Sequence, residues 1–222
     1  MCGRINVSDN EGIRLLLEVM GMDTWPTREP RFNVAPTQTL DVIKFDGKPT
    51  LVPMSWGVSL SLPGTSGMVT KRIANSRDDK VWSSRLWKPM IESQRVLIPV
   101  NGFYEWKREN RKVVSAFHIS PTRHRAMLFA GIYRPSQDEA DKPEFSVITT
   151  ASNEPMSLVH DRMPVILGSR NAAMAWLQES DDASLSELMT AAAEDMLKFT
   201  QVSQYVNKSS NEGPECIEPL VA

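Results

Sequence analysis

The chain is poor in the residues that mark secreted, metal-bound or membrane-embedded proteins. It holds two cysteines, three histidines and three tyrosines in 222 residues. Cys2 and Cys216 form no C-x-x-C pair, and His118, His124 and His160 are scattered, so no structural zinc or other metal is expected. Two thiols in a reducing compartment are expected to be free rather than bridged. No stretch is apolar enough to span a bilayer. After Arg4 the chain reads Ile5-Asn6-Val7-Ser8-Asp9-Asn10, which is no signal-peptide core. A cytoplasmic, monomeric protein without cofactor, metal or membrane attachment is the expectation.

What is present is enough for a core. With 41% hydrophobic residues, residues 1–222 suit one domain. The net charge of −2 hides an asymmetry: from Gln178 onward nine acidic residues stand against two basic ones, which leaves the rest of the chain positive. Between Lys71 and Lys88 lie six cations (Lys71, Arg72, Arg77, Lys80, Arg85 and Lys88) interleaved with Trp82 and Trp87. Such a segment suits either a solvated face or a single nucleic-acid strand, where phosphates meet guanidinium groups and bases stack on rings.

Ser8-Asp9-Asn10-Glu11 has capping-box form and opens a helix through Ile13, Leu16, Leu17 and Met20, with Gly21 as its stop. Leu40–Phe45 and Pro49–Met54 flank Asp46-Gly47, a hairpin signal. Leu60–Gly67, rich in Ser, Gly and Pro, reads as a loop. Arg95–Val100 is an apolar run that turns at Asn101-Gly102 into Phe103–Lys107, whose hairpin partner is Val113–Ile119. Ala126–Tyr133 and Phe145–Thr150 are further strands, with a polar loop over Asp138–Pro143. Asn171–Gln178 and Leu185–Ala193 have helical composition. The tail from Asn207 is polar, acidic and irregular. Strands without regular alternation with helices indicate an α+β fold with a strand-rich core.

The most specific chemistry lies at Met1-Cys2-Gly3-Arg4. A small second residue favours removal of the initiator Met, after which Cys2 carries both a free α-amine and a thiol. Their ordinary pKa values are roughly 7.7–8.0 and about 8.5, so both are partly nucleophilic near neutral pH. Such a pair reacts twice with an aldehyde: the amine forms an imine, and the thiol closes a thiazolidine. Two further groups could move protons. Glu105 lies between Tyr104 and Trp106 and shares a strand face with Phe103, and His160 titrates nearest neutrality by residue type. Each also has an ordinary structural reading.

Taken together, Met1-Cys2-Gly3-Arg4, Arg31-Phe32-Asn33-Val34-Ala35-Pro36-Thr37, Ile73-Ala74-Asn75-Ser76-Arg77, Pro99-Val100-Asn101-Gly102-Phe103-Tyr104-Glu105-Trp106 and Val159-His160-Asp161-Arg162-Met163-Pro164 resemble the SOS-response-associated peptidase family, the abasic-site-processing proteins. The likeness runs from Cys2 to about Pro219. It implies a barrel-like β core with peripheral short helices, and a positively charged channel leading to Cys2. It also implies a covalent bond from Cys2 to abasic sites in single-stranded DNA, shielding the lesion, with association with the nucleoid while engaged. Self-removal of Met1 is the implied peptidase character. By the same resemblance Glu105 transfers protons during imine and thiazolidine formation, His160 is the acid that opens the sugar ring, and Asn75 holds the amine and sugar. Arg77 and Arg85 grip phosphates, and Arg4, Asn33, Pro36, Trp106 and Asp161 line the DNA path.

The chain departs from the family pattern after Trp56-Gly57, where Val58 to Met68 contains no aromatic residue. Val96 and Val100-Asn101 also differ from common family residues, at positions read as core packing and a turn. Two alternatives use other sequence features. A true cysteine peptidase would use Cys2, His160 and Glu105 on peptides in trans. A non-covalent single-strand binder would use Lys71–Lys88 without Cys2.

Overall fold

The structure, a computed structural model, describes residues 2–22, 26–64, 67–136, 138 and 141–220. Met1, and parts of the segments 60–67 and 138–143, lie outside them. In chain order the elements are β1 (Ile5–Val7), α1 (Asn10–Val19), β2 (Arg31–Val34), β3 (Thr39–Asp46), β4 (Lys48–Trp56), β5 (Val58–Gly64), β6 (Gly67–Ile73) and β7 (Asn75–Arg77). Then come α2 (Asp78–Val81), α3 (Lys88–Ser93), β8 (Arg95–Val100), β9 (Gly102–Glu109), β10 (Lys112–Pro121) and β11 (Met127–Arg134). The chain continues through β12 (Glu144–Ala151), α4 (Glu154–Ser157), β13 (Arg162–Pro164), α5 (Arg170–Gln178), α6 (Asp182–Leu188) and β14 (Leu197–Val202).

Strands β11, β8, β3, β4 and β12 follow one another in a sheet, and β12 pairs back onto β11, so the five close into a barrel. Closure removes the free edges that invite aggregation. Side chains alternate across its wall. Val96, Ile98 and Val100 of β8 join Phe129, Phe145 and Trp56 in one buried cluster. Leu97, Leu128 and Ile148 join Ile13 and Leu17 of α1 and Trp176 of α5 in another. The helices therefore cover the outer face, and the first cluster fills the interior. This explains why β8, buried at every residue, reads as an unbroken apolar run.

A second sheet, β14-β10-β9-β1-β2, lies against the barrel through Ile5, Phe103 and Ile119, which share the interior cluster. Asn101 makes the junction between β8 and β9. Its Oδ1 accepts from the Asp9 amide, and its Nδ2 donates to the carbonyls of Asp9 and Arg125. The hairpins expected at Asp46-Gly47 and between Phe103 and Ile119 are present, with Gly47 at φ +68°.

Three local expectations are corrected. The cap of α1 is Asp9, whose carboxylate accepts from the Gly12 amide; Ser8 donates to Asn6 instead. Asp is as good a cap as Ser, and here it also pairs with Arg125. The segment from Leu60, expected as a loop, belongs to the β5–β6 hairpin. Both faces of that hairpin are largely exposed, so no apolar alternation announces it. The last helix starts early, at Asp182, where Asp181 caps it by accepting from the Ser184 amide, and it ends at Leu188, with Met189 as its C-cap, rather than at Ala193.

Candidate active site at the N-terminal cysteine

Cys2 is fully buried, within the barrel-interior cluster. Two elements bring polar groups to it. Strand β7 runs parallel to β12, with Asn75 opposite Val147, and Asn75 Nδ2 donates to the Cys2 carbonyl at 2.8 Å. Its Oδ1 is buried and has no hydrogen bond among the described residues. Strand β9 brings Glu105. In register with Phe117, and two residues from Phe103, it faces the barrel. Glu105 is 2% exposed. The alternation read from the sequence is thus realised. Burial, and then the field of Glu105, push the Cys2 thiol well above its usual pKa. The resting group is a neutral thiol beside a buried carboxyl.

His160 lies on the other edge of β12, just before β13. Thr149 pairs with Arg77 of β7 on one edge and with Pro164 of β13 on the other, and His160 precedes β13 by two residues. Its Nδ1 lies 3.0 Å from the Arg162 amide and 2.9 Å from Asp161 Oδ1. The amide contact requires a bare Nδ1, which puts the proton of a neutral ring on Nε2; the carboxylate contact requires a protonated Nδ1. Asp161 is 88% exposed and well solvated, so the buried-side amide is the stronger tie. The ring is set to donate from Nε2, and Asp161 stands ready for the imidazolium.

The support for His160 was not assigned from sequence. Arg162 donates to Asp78 Oδ1 at 2.7 Å and to the Thr149 carbonyl, while Thr150 Oγ1 donates to Asp78 Oδ2 at 2.7 Å. Arg162 is visible in the His160-Asp161-Arg162 motif, but a carboxylate 84 positions away leaves no mark in a single sequence.

The remaining candidates separate into two groups. Arg77 and Arg85 are exposed; Arg77 forms a bidentate pair with Asp79 (2.8 and 3.0 Å), and Arg85 has no ion pair among the described residues. Pro36 lies in the turn between β2 and β3 beside Thr37, whose φ is +81° and whose amide donates to the Trp56 carbonyl. Arg4, Asn33 and Trp106 instead point away from Cys2 and converge on residues 206–211. Of the rings in the basic segment, Trp87 is buried in the outer core and Trp82 donates to Ser186, so neither forms a free stacking platform. All six cations from Lys71 to Lys88 remain exposed.

No group of three or more His, Cys, Asp or Glu side chains suited to a metal occurs among the described residues, and none of the helices there is long and apolar enough to cross a membrane. A buried cysteine thiol beside a buried carboxyl, and an imidazole able to donate, are groups that carbonyl chemistry with proton transfer can use.

Comparison with known proteins places this arrangement. A sequence profile of the SOS response associated peptidase (SRAP) family matches residues 1–209. The chain is 32% identical to the abasic site processing protein YoqW of Bacillus subtilis over 229 aligned positions, covering 98% of this chain and 99% of that one. It is 30% identical to the abasic site processing protein YedK of Escherichia coli, covering 99% and 100%. Among solved structures, a Bacteroides thetaiotaomicron protein superposes with a TM-score of 0.78 at 17% identity, covering 99% of this chain and all of the other. That last likeness speaks to the fold alone.

Proposed function

The chain belongs to the SOS response associated peptidase family, and on that premise we propose that it processes abasic sites in single-stranded DNA by bonding them covalently to Cys2. Removal of Met1, by the protein's own thiol peptidase character, frees the α-amine. The open-chain sugar offers an aldehyde. The Cys2 nitrogen adds to it, giving a carbinolamine; loss of one water leaves the imine. The thiol sulfur then adds to the imine carbon while its proton moves to nitrogen, closing the thiazolidine. The balance is protein plus DNA minus one water.

Each neighbour has a proton to move or a group to hold. His160 donates from Nε2 to the sugar ring oxygen, which opens the hemiacetal. Glu105 carries protons for the carbinolamine and from the thiol. Asn75 holds the Cys2 carbonyl and offers its unpaired Oδ1 to the amine or sugar hydroxyls. Arg77 and Arg85 take phosphates, with Pro36 and Asp161 flanking the strand; Lys71–Lys88 adds a field that draws DNA in and weakens with salt. The product is a shielded lesion.

The observation that carries this reading is the joint burial of Cys2 and Glu105, with Asn75 bonded to the Cys2 carbonyl. Burial pushes the thiol upward, which keeps it protonated until a base relieves it. It suits amine attack first and thiol closure second. Incubating the Met1-processed protein with an oligonucleotide bearing one abasic site, then resolving it on a denaturing gel beside Cys2→Ala, tests the reading. A retarded band that depends on Cys2 is expected. A band of equal strength in Cys2→Ala, or none with either protein, would sink it.

A further inference from the structure

Residues 204–217 hold no helix longer than a 3-10 turn and no strand. Their backbone carbonyls must still find donors. The donors come from the strands that follow Cys2. Arg4 Nη1 donates to Asn33 Oδ1 at 2.7 Å and to the Val206 carbonyl at 3.0 Å, and Nη2 donates to the Asn207 carbonyl at 3.3 Å. Asn33, fully buried, aims Nδ2 at the carbonyls of Val206, Lys208 and Asn211 at 3.2, 2.9 and 2.8 Å. The Arg4 guanidinium lies 5.6 Å from the Trp106 ring centre, and Trp106 Nε1 donates to Asn207 Oδ1 at 2.7 Å. Glu212 accepts from the Phe32 amide at 2.7 Å. A bridge between Val202 and Pro219 closes the segment at its base. Arg4 is two residues from Cys2, and its own carbonyl accepts from the Tyr104 amide, beside Glu105.

We propose that residues 204–217 are a latch that positions Cys2, and that Arg4, Asn33 and Trp106 are positioning residues rather than contacts to DNA. The inference rests on Cys2 being the reactive group. The first strand is three residues long, too short to fix its own end. The latch grips it from the face opposite Glu105, so the Cys2 amine and thiol keep their place relative to the carboxyl and Asn75. An error of about 1 Å in such a placement costs on the order of 10²-fold in rate.

The test uses the full chain and variants of one exposed latch residue and one strand residue. Asn207→Ala removes the acceptor for Trp106, Asn207→Asp keeps one, and Arg4→Met removes every guanidinium donor while keeping an apolar stem. The first readout needs no DNA: the alkylation rate of Cys2 by iodoacetamide, with Cys216 separated by peptide mass. We expect about a ten-fold rise in Arg4→Met, a several-fold rise in Asn207→Ala and wild-type behaviour in Asn207→Asp. The second readout is adduct formation against concentration of abasic oligonucleotide. The maximal rate falls in step with the alkylation change, while half-saturation and affinity for undamaged single strands stay within about two-fold. Unchanged alkylation in both Arg4→Met and Asn207→Ala overturns the latch, as does a loss confined to DNA affinity. If the wild type alkylates as expected but forms no adduct, the proposed function fails and the latch stands.

Discussion

Strand β9 presents one buried carboxyl to the barrel, and its partner β10 presents one buried imidazole to the opposite side. Glu105 pairs with Phe117 and faces Cys2; one residue earlier, Tyr104 pairs with His118 on the latch side, their rings 5.2 Å apart. Both ionisable groups are nearly out of water, at 2% and 9% exposure. Glu105 has the Cys2 thiol within its field. His118 has a buried Nε2 with no hydrogen bond among the described residues, pressed against Gly102, where a Cβ would lie 2.3 Å from it. Burial pushes His118 down to about 4, so it rests neutral. In the proposed reaction a buried titratable group is used only where a second reactive group shares its face. On the other face it is packing that carries a pH liability.

Replacing Glu105 by Gln keeps the volume and removes the proton carrier. Adduct formation should fall by about 10²–10⁴-fold, and the Cys2 thiol, relieved of a neighbouring charge, should titrate lower than in the wild type. A pH series of alkylation rates and a single-turnover time course check both. A Gln variant at full rate would show the two faces to be alike.

His118 makes the next largest prediction. Its folded pKa, about 4, lies below the ordinary 6.5. The unfolded chain therefore binds the extra proton first as pH drops, and folding stability is lost from pH 6.5 down to about 4. The slope sums to about 3 kcal/mol at most over that window. Denaturant midpoints at pH 7, 5.5 and 4.5 should show it, and His118→Gln should flatten the fall while cross-linking at pH 7 stays unchanged. An equal slope in the variant would place the liability elsewhere.

Asn75→Ala should do less. It removes one hydrogen bond to the Cys2 carbonyl, worth about 0.5–1.5 kcal/mol. The adduct rate should drop roughly 2- to 10-fold, with no change in the thermal midpoint beyond a few degrees. A drop as large as that of Glu105→Gln would make Asn75 a proton carrier rather than a holder.

The reacting face was far more legible in the sequence than the other one. Cys2, Glu105 and His160 each carry a chemistry that few residues supply, and Phe103 with Glu105 showed its face by period-2 spacing. The hairpin at Asp46-Gly47 and the apolar run of β8 followed from turn chemistry and burial. Barrel closure did not, because β12 pairs not only with its chain neighbours β11 and β13 but also with β4 and β7 far upstream, and no local pattern encodes those distant partners. The latch was hidden for a different reason. From Asn207 the tail is polar and acidic, which reads as solvated, yet its carbonyls are satisfied by Arg4 and Asn33 from about 170 residues or more upstream. The family resemblance assigns those same side chains to the DNA path, and guanidinium and amide groups suit either partner.

The most direct test of the account is the intact mass of the cross-linked species, followed by peptide mapping. Thiazolidine formation at Cys2 predicts the mass of Met1-processed protein plus abasic oligonucleotide less one water. It places the bond on the Cys2 peptide, with neither its thiol nor its amine open to labelling. A cross-link on a lysine, or one leaving the Cys2 thiol free to alkylate, would contradict it.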